Sequence, residues 1–352
     1  MKIQTWILYL LLSFSYFTCK KAEKPSSQPQ LSYAAYLNYQ KTDQQIEIWI
    51  DGQKQAFPLT KFPYKRIVVT QTASIGFLKE LDALDKLIGV TDANFIYQPA
   101  IRTKIQANKI LEFGNASELL VEKILEAKPD LIIASSNPSH IKALSILQQS
   151  GIDVLLIDDY KETSPIGRVE YLKLFGLLVG KEELAQKRFS EIRENYENTK
   201  TKIANAKANK HTTFVNTMYG DVWYLPGKET LQAKLLADAN ANYLWANDGD
   251  VLSINASFEQ VYKRAKRATI WLNVSDFQNL DQMKAARNQY TWFDAYKTKN
   301  VYNTNRKANS NGGSDYFETG VVRPDLILQD LGKIYYPELF SNHSFYFYQK
   351  LL

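Results

Sequence analysis

One cysteine, three histidines and three methionines in 352 residues leave little material for redox or metal chemistry. A lone cysteine cannot close an internal disulfide. His140, His211 and His343 are far apart, and none has a second ligand at metal spacing, which argues against capture of a bare ion. Haem ligation by His140 or by a tyrosine is supported by no motif. The chain has no G-x-x-x-x-G-K-[ST], no G-x-G-x-x-G after a strand and no G-x-S-x-G, so the usual nucleotide and nucleophile-elbow chemistries are missing. Gly312-Gly313-Ser314-Asp315 is the one glycine-rich loop, and no Lys-Ser/Thr follows it. Asp82, Asp85 and Asp92 are neighbours in sequence, but two fall on a helix surface and need no catalytic role. A concentrated basic stripe is lacking too. The formal charge of +6 is spread among acidic residues, and the lysines between 200 and 210 read as a solvated helix face, so nucleic acid is not an expected partner. No cofactor is called for.

Long apolar runs are absent except at the N-terminus. There Lys2 precedes an apolar stretch from Trp6 to Phe17 that ends at Cys19. The stretch is short for a membrane span and suits the h-region of a signal peptide. Cys19 at its end marks a lipidation site after cleavage, although Tyr16-Phe17-Thr18 is a poor lipobox, and an ordinary signal peptide with a chance cysteine is the other reading. Residues 20–30 form a polar Pro/Ser tether with no apolar periodicity. These features place the protein outside the inner membrane, lipid-anchored, in the periplasm of a Gram-negative bacterium.

Beyond the tether, Ile46, Ile48 and Ile50 alternate with other positions before Asp51-Gly52, which predicts an antiparallel hairpin extension over 31–64. Strands then alternate with short helices. The pattern predicts strands over 66–70, 87–90, 130–135 and 154–157, and helices over 72–87, 118–127 and 141–149. That alternation implies a parallel sheet with right-handed crossovers. Residues 165–206 read as helix with a break at Gly180, and the alternation resumes with strands at 213–217, 269–273 and 301–302. The expected partition is a signal peptide at 1–19, the tether at 20–30, the extension at 31–64, an N-terminal lobe at 65–160, connecting helices at 161–208, a C-terminal lobe at 209–340 and a tail at 341–352.

Five segments carry a family resemblance. They are RIVVTQTASIGFLKELDALDKLIGVTD (66–92), GNASELLVEKILEAKPDLIIA (114–134), YLKLFGLLVGKEELAQKRFSEI (171–192), SFEQVYKRAKRATIWL (257–272) and DYFETGVVRPDLILQDLGKIYYPEL (315–339). In this order they resemble the periplasmic solute-binding proteins of ABC importers for ferric siderophores, haem and cobalamin. The resemblance implies an α/β fold of two Rossmann-like lobes with central parallel sheets, joined by a single long rigid α-helix. It also implies a monomer that does no catalysis, captures an iron–siderophore complex in the interlobe cleft and docks both lobes on an inner-membrane ABC permease. Cobalamin or haem is the alternative ligand, and a surface lipoprotein passing ligand to an outer-membrane receptor is the alternative role.

In the family, an acidic residue at the start of a helix on each lobe meets permease arginines. The matching positions are Glu122 and Glu259. Both have an ordinary explanation as well, since Ser257-x-x-Gln260 is a capping box and an early Glu favours the helix dipole. Ligand-facing residues are expected on loops after strand carboxyl ends. The first-lobe candidates are Asn94, Phe95, Tyr97, Phe113 and Ser136-Asn137. The second-lobe candidates are Tyr219, Trp223, Tyr224, Trp245, Trp292, Tyr316 and Arg323. Aromatic rings offer large contact area to flat chelates, and Arg102, Arg306 and Arg323 could pair with anionic oxygens. At 13% aromatic content, many of these rings must instead be core.

Overall fold

The computed structural model describes residues 31–207, 211–249 and 252–352. Cys19, the signal segment and the 20–30 tether lie outside the described residues.

The chain opens with an antiparallel meander, β1 (Leu37–Lys41), β2 (Gln45–Ile50) and β3 (Gln53–Pro58). The period-two isoleucines of β2 are buried with Leu37 and Phe57, and Asp51 and Gly52 turn the β2–β3 corner at φ 50° and 76°. The expected hairpin therefore has a third strand. β3 docks on the first main sheet through one side chain: Gln55 Nε2 donates to Leu156 O (2.8 Å), and Gln55 Oε1 accepts from Leu156 N (2.7 Å).

Next come β4 (Ile67–Val69), α1 (Thr72–Glu80), β5 (Leu87–Val90), α2 (Pro99–Gln106), β6 (Leu111–Glu112), a small hairpin of β7 (Gly114–Asn115) and β8 (Glu118–Leu119), α3 (Val121–Ala127), β9 (Leu131–Ala134), α4 (Ile141–Gln149) and β10 (Asp153–Leu156). The parallel sheet runs β10-β9-β4-β5-β6. This is the doubly wound 3-2-1-4-5 order read from its far edge, with its switch point between β4 and β9. α1 is shorter than the expected helix over 72–87. Asp82 turns left-handed (φ 49°) and Ala83 N returns to Leu78 O (2.8 Å), which closes the helix end.

Two helices carry the chain to the second lobe, α5 (Pro165–Val179) and α6 (Glu182–Ala204). Ser164 caps α5 by accepting from Gly167 N, Pro165 occupies its first turn, and left-handed Gly180 (φ 71°) ends it. α5 is apolar nearly all round and buried nearly all round, as such a helix must be. A Cβ on Gly176 would sit 2.4 Å from the Ala185 methyl, so the glycine is what lets α5 and α6 close on each other. The 23 residues of α6 span roughly 35 Å at 1.5 Å per residue. The link is thus a packed helical pair, in place of the single long helix expected.

The second lobe contains β11 (Thr212–Val215), β12 (Met218–Tyr219), β13 (Val222–Pro226), α7 (Leu231–Asp238), β14 (Asn242–Tyr243), β15 (Ser253–Ala256), α8 (Phe258–Ala265), β16 (Ile270–Leu272), α9 (Leu280–Ala286), α10 (Asp294–Lys297), β17 (Val301–Asn303), α11 (Thr319–Val322), α12 (Pro324–Tyr335) and β18 (Gln349–Lys350). Its main sheet runs β14-β11-β16-β17-β18, parallel except for the last pair. The switch point here falls between β11 and β16. β12, β13 and β15 form a separate antiparallel sheet. Phe214, Trp223, Trp271, Tyr290 and Phe293 stack between these layers, with Trp271 and Phe214 centroids 4.6 Å apart.

The expected tail at 341–352 is instead the edge of this sheet. β18 pairs with β17, and Phe347, Tyr348 and Leu351 are buried. Buried Asp330 of α12 accepts from the backbone N–H groups of Tyr346 (2.8 Å), Phe347 (2.7 Å) and Tyr348 (2.9 Å) and pairs with His343 Nε2 (2.5 Å).

Candidate ligand cleft

Three second-lobe strands end in the same way: the apolar runs of β11, β16 and β17 reach Asn216, Asn273 and Asn303. Asn216 and Asn273 hold φ values of 63° and 58°, which asparagine adopts more readily than most side chains. Because the strands are parallel, these side chains collect at one edge of the sheet, beside its switch point. They line a cavity of about 460 Å3 together with Thr217, Ser275, Thr304, Gln232, Tyr219, Tyr224, Tyr316 and Phe317. A neighbouring cavity of about 790 Å3 shares Ser275, Thr304 and Phe317 with it.

The asparagines are held as well as exposed to the cavity. Asn216 Nδ2 donates to Tyr224 O (2.8 Å), Asn273 Oδ1 accepts from Tyr348 Oη (2.8 Å), and Asn303 Nδ2 donates to Ser275 O (2.9 Å) and Phe277 O (3.0 Å). Tyr219 is 81% exposed and Tyr224 43%, so both rings of the β12–β13 hairpin stand open at the rim. Tyr316 is deeper, and burial pushes its phenol up to about 12, which keeps it neutral.

The first lobe meets this edge through the loop after β5. Phe95 is 54% exposed at its tip. The loop is fastened to the second lobe: Asn309 Nδ2 donates to Asn94 O (3.2 Å) and Ile96 O (2.9 Å), and the Glu318 carboxylate accepts from Tyr97 N (2.5 Å) and Gln98 N (3.1 Å). Glu318 is fully buried. Burial raises its pKa to about 7, against the two backbone donors, which pull it down. A Cβ on Gly313 would lie 2.4 Å from Phe95 O, so the glycine-rich loop exists to let the two lobes' backbones touch.

The sequence candidates divide accordingly. Tyr219, Tyr224 and Tyr316 line the cavity, whereas Asn94, Phe95 and Tyr97 lie on the first-lobe loop after β5 and line neither cavity. Phe113 is fully buried under Gly89. Trp223 is fully buried in the aromatic stack and donates to Val215 O (2.9 Å), and Trp245 is buried beneath Arg264. Trp292 is 46% exposed but packs edge-on against Phe258 and Tyr262 of α8, and it lines neither cavity. Arg323 is spent on a bidentate pair with buried Asp325 (2.9 and 2.8 Å), and Arg102 donates to Ile96 O (3.2 Å). Arg306 lines neither cavity. Asn137 Nδ2 donates to Ala116 O (2.8 Å), and Ser136 N to Asp158 (2.9 Å). Glu122 and Glu259 are exposed in the first turns of α3 and α8. The capping box at Ser257 is present, and hydrogen bonds from its own amide and from the Ser257 hydroxyl lower the Glu259 pKa.

Sequence reasoning passed over the asparagines and Gln232, although the repeated strand-Asn ending was there to find. Among the described residues no group of three His, Cys, Asp or Glu is placed to hold a metal ion, and no helix is long and apolar enough to cross a membrane.

Residues 67–308 match the family model described as periplasmic binding protein. The chain belongs to the periplasmic binding protein family. Within that family the binding protein is 23% identical over 301 residues to the ABC transporter substrate-binding lipoprotein YvrC of Bacillus subtilis, covering 83% of this chain and 86% of that one. Among solved structures it is similar to a possible iron-binding, periplasmic solute-binding protein of Staphylococcus epidermidis, with a TM-score of 0.60, 22% identity and coverage of 78% and 99%. It is also similar to FeuA, the triscatecholate siderophore-binding protein of B. subtilis, with a TM-score of 0.58, 20% identity and coverage of 82% and 96%. The binding protein therefore shares their two-lobed α/β fold.

Proposed function

We propose that this binding protein is the solute-binding component of an ABC importer and captures a metal chelate between its lobes. One observation carries the reading: the cavity lies at the switch point of the second sheet and is lined by tyrosines and amides of the second lobe, while the first lobe's β5 loop is bonded to the 309–318 segment that ends beside it. An edge of this kind is where open α/β sheets hold ligands. The iron-related names of the structural neighbours favour an iron–siderophore complex, with a corrinoid or haem as the other members of the class. On this reading the protein turns nothing over. Cys19 carries the lipid that holds it at the outer side of the inner membrane, as the lipoprotein name of the Bacillus relative suggests. Glu122 and Glu259 present one carboxylate per lobe to a permease.

The test is thermal melting of the protein against ferric siderophores, cobalamins and haem. A ligand at 100 times its dissociation constant adds about 2.7 kcal/mol to stability and moves the midpoint by several degrees. A panel that leaves the midpoint unmoved removes the ligand class.

A further inference from the structure

The charge around the cleft is unlike the charge of the chain. With a formal +6 overall, a site for an anionic chelate would be expected to draw on the surplus lysines and arginines. Among the described residues lining the two cavities, however, none is Lys or Arg, and the one ionic side chain is Asp276. Several cations outside the walls are tied up within the protein, although exposed Arg306 stands next to the lining residue Asn305 without lining either cavity. Arg168, whose charge reaches Tyr316, pairs with buried Asp159 at 2.6 Å. Lys161 bridges Asp51 (2.9 Å) and Asp158 (3.3 Å). Arg323 is held by Asp325, and Arg102 by backbone carbonyls. Each of these four basic groups meets an acid or a carbonyl of the protein itself.

An anion carried into such a place sheds its hydration and meets no compensating charge in the walls themselves, where Asp276 adds repulsion. What the walls do offer is amide and hydroxyl hydrogen bonding from Asn216, Asn273, Gln232 and Thr304, together with the faces of Tyr219 and Tyr224. Asn273 has its Oδ1 engaged by Tyr348, while its Nδ2 makes no hydrogen bond among the described residues. We infer that the ligand is an electroneutral metal chelate whose periphery bears carbonyl and amide groups, of the ferric trihydroxamate or corrinoid-amide kind, and not a polyanionic catecholate chelate or a haem with free propionates.

The inference rests on the cleft being the ligand site, and the experiment separates the two. Calorimetric titrations of the full chain would use an uncharged ferric trihydroxamate, cyanocobalamin, a trianionic ferric tricatecholate and haem, each at about 50 and about 500 mM salt, where screening differs strongly. The expected result is that one uncharged probe binds about 100-fold more tightly than either anion, with a Kd that changes less than about twofold with salt. Which uncharged probe binds distinguishes the hydroxamate from the corrinoid source. Tyr219→Ala, at an exposed ring, and Asn273→Asp, which keeps the acceptor for Tyr348, should each weaken that probe about tenfold or more while the melting temperature of the free protein stays put. Tighter binding of an anionic probe, weakened by Tyr219→Ala, overturns the neutrality and leaves the cleft in place. Binding that ignores both substitutions, or no binding by any probe, overturns the cleft reading and the inference with it.

Discussion

At Glu318 two demands act on one carboxyl group. Two backbone N–H groups from the first lobe favour its charged form, while full burial beside Asp315 favours the neutral one. Burial wins, and the pKa rises to about 7 from an ordinary 4.5. A raised folded-state pKa means the folded protein holds this proton more tightly than the unfolded chain does. The resulting stabilisation is complete below about pH 4.5 and is lost as the pH climbs through 7. The loss is on the order of 2–3 kcal/mol across that window. Denaturant titrations at pH 5 and pH 8 should therefore show the native protein weaker at pH 8. Glu318→Gln, which cannot titrate, should flatten that difference whatever its own stability. An unchanged difference would assign the pH dependence to other groups. None of this was legible in sequence, where Glu318 is one polar residue in a loop. The cavity tyrosines were legible because aromatic residues after strand ends are conspicuous. The asparagines were passed over, Asn216 and Asn273 as strand residues, because their convergence appears only once three strands lie side by side.

The inner strands of the two main sheets followed from short apolar runs, and α5 from its serine cap and glycine stop, whereas most other helices have neither a side-chain cap nor a glycine end. What periodicity could not show is an element held by a distant side chain. The 341–352 segment has no repeating pattern, yet it forms the edge of a sheet because Asp330 collects three of its backbone N–H groups. The start of the chain is fastened in the same manner. Glu170 accepts from Ser32, Tyr33 and Ala34, and Glu162 from Ala35 and Tyr36. A carboxylate serving several amides replaces the strand partner that sequence reading looks for. Asp330→Ala would leave three donors without their acceptor, two of them on fully buried residues. It should cost about 3 kcal/mol or more in denaturant titrations. Amide exchange should speed up first at 346–350, ahead of the rest of the second lobe. Uniform acceleration instead would mean that Asp330 supports the lobe as a whole.

The link between the lobes decides how the whole molecule responds to a ligand. α5 is buried between them, packing on α1 of one lobe and on α7 and α12 of the other. A second set of ties crosses beside the cleft: Asn309 to the Phe95 loop, Glu318 to Tyr97, and Lys79 Nζ to Thr319 Oγ1 (2.8 Å). A rotation of one lobe against the other would have to break these bonds and slide a close-packed helix, since packed interiors resist continuous deformation. Ligand capture should then rely on side chains and on the rim hairpin carrying Tyr219, with the lobes nearly fixed. Scattering curves of the free and loaded protein should superpose to within a few tenths of an ångström in radius of gyration. A contraction on the order of 1 Å would instead show hinge closure. If the proposed permease role holds, a binding protein that hardly closes would report its loaded state by other means, and the exposed carboxylates at the α3 and α8 starts sit one on each lobe. Glu122→Ala and Glu259→Ala should leave ligand affinity unchanged and cut uptake in permease-containing vesicles, the double substitution by more than either alone. Full uptake with both carboxylates removed would mean that the protein engages its permease through a different face.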